Sequence, residues 1–117
     1  MPPVEIVEAQ AAHGAVLAAL HAQSFSGDDV WDEAALKQLL PLHGVVTGLA
    51  LAGEQPAGFL MIRGVADEAE ILTLCVAPAF RKQGIARQLL TWGVMEAQGR
   101  EAERMFLEVS VRNAAAQ

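Results

Sequence analysis

A chain of 117 residues with 8 basic and 14 acidic side chains carries a net charge of −6, which argues against wholesale nucleic-acid binding and suits one domain over residues 1–117. Apolar residues at 53% and charged residues at 19% exclude a disordered tail. The longest weakly polar run, 44–52, is about half of the roughly 20 residues a membrane helix needs, and the single cysteine excludes an internal disulfide.

Met1-Pro2-Pro3-Val4-Glu5 has no basic flank before an apolar stretch, and Glu5 and Glu8 oppose a secretory or transit segment, so a cytoplasmic location is expected. Val4 to Glu8 alternates like a half-buried strand. Ala11 to Ser24 then sets Val16, Leu17 and Leu20 at helical spacing. Ser26-Gly27-Asp28-Asp29 is a turn cluster, after which Asp32 can cap a helix bearing Leu36, Leu39 and Leu40 until Pro41. Two apolar runs, 44–52 and 57–64, flank the polar connection Gly53-Glu54-Gln55-Pro56, and a third, 69–76, follows Asp67-Glu68. Three neighbouring antiparallel strands are the economical reading.

From Ile85 to Gln98 the positions Ile85, Leu89, Leu90, Val94 and Met95 recur at helical intervals, with Gly99 as the stop, and Arg104 to Val111 reads as a strand. Strand, glycine turn, helix and strand should form a right-handed parallel crossover joined to the antiparallel meander. The predicted fold class is therefore α+β, or mixed α/β.

Between the third run and the long helix lies Ala77-Pro78-Ala79-Phe80-Arg81-Lys82-Gln83-Gly84-Ile85-Ala86-Arg87. A helix start presents unpaired amides and partial positive charge, so Gly84 with the cations Arg81, Lys82 and Arg87 suits a pyrophosphate. A plain strand-to-helix turn with solvated basic residues is the competing reading. Pro78 ends strand pairing where an anion site would need a helix to begin, which favours the first.

Here the sequence resembles the GNAT acetyltransferases, whose Gln/Arg-x-x-Gly-x-Gly/Ala signature is matched by Arg81-x-x-Gly84-x-Ala86. Glu70 to Pro78 ahead of it, with Phe106-Leu107-Glu108-Val109 and Asn113-Ala114-Ala115-Ala116 after it, looks like the bacterial ribosomal-protein alanine N-acetyltransferase branch. The match is specific from Glu70 onward and architectural before Gly64. It implies acetyl-coenzyme A as cosubstrate and a primary amine as acceptor, on a protein N-terminus or a small molecule.

The resemblance also assigns residues. Leu74, Cys75 and Val76 offer backbone groups to the pantetheine arm, the amides of Lys82, Gln83, Gly84, Ile85, Ala86 and Arg87 hold the pyrophosphate with Arg81 beside them, and Asn113 binds the pantetheine. A carboxylate must deprotonate the attacking amine. Glu108 stands where the ribosomal-protein branch places it and is preferred; Glu70 stands where the histone acetyltransferases place it. Cys75 as an acyl-carrying nucleophile has no histidine near it in sequence, and strand cysteines are commonly buried and inert. His13, His21 and His43 lack ligand spacing, so no metal is expected and surface or loop positions are.

The matching proteins continue past Ala116 with a helix carrying a tyrosine and a closing hairpin, whereas this chain stops at Gln117 and contains no tyrosine. A C-terminally truncated domain or a fragment is therefore expected. A thiolate leaving group, with a thiol pKa near 8.5, makes loss of the tyrosine acid slow transfer rather than forbid it. The strand left at the edge is expected to pair two copies as a homodimer. A binding or interaction module of the same fold with little turnover is the alternative function.

Overall fold

The computed structural model describes residues 3–65, 68–99 and 104–107, of which 65, 98, 99 and 104–107 by backbone alone. Strand β1 spans Val4–Glu8, helix α1 Gly14–Ser24, helix α2 Glu33–Leu39, and strands β2, β3 and β4 Val45–Ala52, Gln55–Val65 and Glu68–Val76. Helix α3 spans Ile85–Gly99 and strand β5 Arg104–Leu107. The sheet runs in the order β1-β2-β3-β4-β5; the first four strands are antiparallel, and β5 lies parallel to β4 across the α3 crossover. The expected meander and crossover are both present.

Local chemistry explains most boundaries. Asp32 Oδ1 accepts from the Ala35 amide at 2.8 Å, as an N-cap should. The hairpin connection is tighter than its polar composition suggests: Gly53, at φ +65°, turns the chain and β3 begins at Gln55. Pro56 is tolerated inside a strand because the register slips beside it, between Ala50 and Leu51 of β2. The strand expected to reach Val111 is seen over Arg104–Leu107, and 108–111 lie outside the described residues.

The sheet carries a core on each face. On one face Val46, Leu60, Ile62, Ile71, Leu74 and Val76 pack with Ile85 and Leu89 of α3; on the other Leu49, Phe59, Met61 and Cys75 meet Leu17 and Leu20 of α1 and Leu36 of α2. Each large apolar side chain fully buried contributes about 1.5–3 kcal/mol. Trp92 lies so close on β2 that a Cβ at Gly48 would stand 2.7 Å from its ring.

Two expectations need correcting. Val94 and Met95 were grouped with the apolar stripe of α3, yet they are 41% and 66% exposed. The buried ladder is Ile85, Leu89, Gly93 and Ala97 at four-residue steps, and at about 100° per residue Val94 and Met95 fall outside it. His21, expected on a surface or loop, is 1% exposed. It stacks between Phe25 and Trp31, with ring centroids at 4.2 and 4.8 Å, and its Nδ1 accepts the Trp31 amide at 3.0 Å. Burial pulls its pKa from 6.5 down to about 4. Flanking aromatic faces, invisible to spacing rules, make an imidazole a core side chain here.

Candidate active site

The site forms where β4 gives way to α3. In β4, Met61 faces Thr73 but Ile62 faces Ile71, so Leu72 is an extra residue that breaks the alternation. The described parallel ladder with β5 runs from Glu68–Arg104 to Ile71–Leu107. Strand pairing with β3 continues to Val76, and Pro78 opens a single 3-10 turn through Phe80.

Arg81 does more than add charge. Its Nε–H donates to the Val76 carbonyl at 3.1 Å and its Nη2 to the Gln23 carbonyl at 3.5 Å, which ties the end of β4 to the last turn of α1. Gln83 Nε2 donates back to the Ala79 carbonyl at 3.4 Å. Lys82 and Gly84 both adopt positive φ, +65° and +80°; such backbone turns amides toward one side and forms anion-binding concavities. Lys82 holds this conformation without glycine's freedom, at roughly 1–2 kcal/mol.

The Gly84 carbonyl accepts the Gln88 amide at 3.0 Å, so α3 proper starts just after it. Among the described residues the amides of Ile85, Ala86 and Arg87 have no protein acceptor. A Cβ built on Gly84 would meet no atom within 4 Å, so open space lies in front of the turn. That space is the mouth of a groove of about 680 Å³, a size usual for small-molecule sites. Arg81, Lys82 and Arg87 edge it, and Leu90, Thr91, Val94 and Met95 carry it along α3. The exposed apolar residues that α3 fails to bury are thus its outer wall, a role no motif marked.

Of the remaining sequence candidates, Leu74, Cys75 and Val76 are buried, Leu74 and Val76 toward α3 and Cys75 toward α1. Burial pushes the Cys75 thiol up to about 12, only partly opposed by its contact with the Thr73 hydroxyl at 3.8 Å, so it is no nucleophile near neutral pH. Glu70 is half-buried, opposite Arg63 on β3 and Phe106 on β5, on the α1 and α2 face. Glu108 and Asn113 lie outside the described residues.

Fold and site together define a class: a mixed sheet whose parallel crossover begins with a glycine-turned, amide-rich loop opening on a half-apolar groove. A sequence profile of the acetyltransferase (GNAT) family matches residues 15–117, and the chain belongs to that family. Over 59 residues it is 39% identical to the [ribosomal protein bS18]-alanine N-acetyltransferase of Haemophilus ducreyi, an alignment covering 50% of this chain and 41% of that protein. The chain spans less than half the length of the curated relatives it matches. Its fold is that of the ribosomal-protein-S18-alanine N-acetyltransferase of Escherichia coli, with a TM-score of 0.85, 22% identity and coverage of 97% of this chain and 72% of that one. The PaiA N-acetyltransferase of Thermoplasma acidophilum, solved with coenzyme A, superposes with a TM-score of 0.82 at 17% identity, over 96% of this chain and 82% of that one.

Proposed function

We propose that the chain binds acetyl-coenzyme A in the groove at the start of α3 and transfers its acetyl group to a primary amine. The observation that carries this reading is the run of three acceptor-free amides, Ile85 to Arg87, behind the open space at Gly84. Three amides, a helix dipole and the charges of Lys82 and Arg87 supply what a pyrophosphate requires. The apolar wall along Leu90 and Val94 suits the less polar remainder of such a ligand. Arg81 fixes the loop while adding its charge, since its Nε is already committed to Val76.

In this reading the pantetheine arm runs beside Leu74 to Val76, and Asn113 binds it. A strand amide there would stabilise charge on the thioester oxygen. Glu108 is the preferred base for the attacking ammonium, and Glu70 the second candidate. The curated relatives are named for acetylating an alanine of ribosomal protein bS18, so a protein N-terminus is one acceptor within this reading and a small amine another. Pairing of two copies through the β5 edge belongs to the same reading, and sedimentation at micromolar concentration tests it.

Calorimetric titration with acetyl-coenzyme A and with coenzyme A tests the assignment: both should bind, and at 100 times the dissociation constant each should stabilise the fold by about 2.7 kcal/mol. Absence of binding by either removes it. With turnover measured by thiol release, Glu108→Gln should lower the rate at unchanged cofactor affinity while Glu70→Gln matters less; the reverse order would move the base to β4.

A further inference from the structure

Arg63 stands opposite Glu70 in the β3–β4 register, on the face shared with Met61 and Cys75. Opposite charges so placed ordinarily close into an ion pair, and these do not. Among the described residues no carboxylate lies within 4.0 Å of the Arg63 guanidinium, and its Nε is buried without a hydrogen-bond partner. Glu70 likewise makes no hydrogen bond or ion pair among them. One row further along the sheet Met61 and Thr73 are buried, whereas Arg63 and Glu70 are half-buried, so the two charges sit at the rim of that face.

A buried guanidinium N–H left unmatched costs on the order of 1–3 kcal/mol, and a planar fork of donors is matched best by a carboxylate. The facing Glu70 carboxylate, half-buried and without a protein partner among the described residues, is suited to an ammonium. The two charged groups stand more than 4.0 Å apart, and a ligand that carries an ammonium and a carboxylate two bonds apart offers a partner to each. We infer that Arg63 and Glu70 together form an acceptor subsite for a free α-amino acid, Glu70 receiving its ammonium and Arg63 its carboxylate. The inference rests on the acetyl-transfer reading above, and narrows its acceptor from amines in general to zwitterions.

The subsite is tested without turnover, by following backbone amide shifts of β3 and β4 by NMR during titration with L-alanine, L-alaninamide and an alanyl dipeptide amide, in the presence of coenzyme A. L-alanine should bind at least tenfold more tightly than either amide, with the largest shifts around Arg63 and Glu70. Arg63→Gln should bring all three ligands to the same weak affinity, Arg63→Lys should recover part of the preference, and Glu70→Gln should weaken all three. Equal binding of alanine and its amide, tighter binding of the dipeptide, or no binding of alanine overturns the inference. So does a preference that survives Arg63→Gln. Failure of coenzyme A itself to bind, read in a separate titration, would instead remove the acetyl-transfer reading.

Discussion

The buried His21 gives the fold a defined weakness to acid. Its Nδ1 accepts the Trp31 amide, so the neutral ring must carry its proton on Nε2, and that atom is buried without a partner. With the pKa lowered from 6.5 to about 4, the native state refuses a proton that the unfolded chain accepts. The contribution is therefore complete above about pH 6.5 and is lost as the pH falls toward 4. Linkage gives a loss of about 2 kcal/mol between pH 7.5 and pH 5, and about 3 kcal/mol once the folded-state pKa is passed. His21→Phe keeps an aromatic ring between Phe25 and Trp31 and removes the titration. At pH 7.5 it should lie within about 1 kcal/mol of the wild type, because it loses the acceptor for Trp31 but also the stranded Nε2 donor. Urea unfolding followed by circular dichroism at pH 7.5 and pH 5 provides the measurement, and the difference between the two proteins cancels the carboxylates that titrate in both. Equal acid losses in wild type and His21→Phe would refute the reasoning.

Gly84→Glu should leave the fold standing, since its Cβ meets no atom, apart from about 1–2 kcal/mol for the positive φ, and should abolish calorimetric binding of coenzyme A; affinity within threefold of wild type would contradict the anion site. Gly48→Ala drives a methyl into the Trp92 ring and should destabilise by about 1–3 kcal/mol in urea unfolding, with unchanged stability showing that α3 can lift off β2 freely. Cys75 should resist a disulfide reagent at pH 8 in the native chain and react promptly in urea, because burial holds its thiol near 12; rapid native labelling would mean β4 opens readily.

The meander, the crossover and the glycine-turned loop between them were legible because each rests on local chemistry: alternation, turn residues, a proline stop and a glycine before an apolar helix. Glu70 was legible as a candidate, but its direction was not. Strict alternation would put it on the side of Leu74 and Val76, and the extra residue at Leu72 puts it on the other. His21 and Arg63 were missed as features because their meaning comes from neighbours distant in sequence: Trp31 and Phe59 around one, Glu70 across a strand from the other. Arg81 was read as a cation and as the first residue of the Arg-x-x-Gly-x-Ala signature, but its bond to the Gln23 carbonyl spans 58 residues that no local pattern connects.

The bulge at Leu72 also makes the sheet a partition. The groove opens on the α3 side, while Glu70 and Arg63 stand on the side of α1 and α2. On the proposed reading, donor and acceptor reach the reaction from opposite banks of the sheet. On that reading neither ligand lies in the other's path, and a ternary complex formed in either order is the expected outcome. A compound that plugs one side would leave the other open to its own ligand.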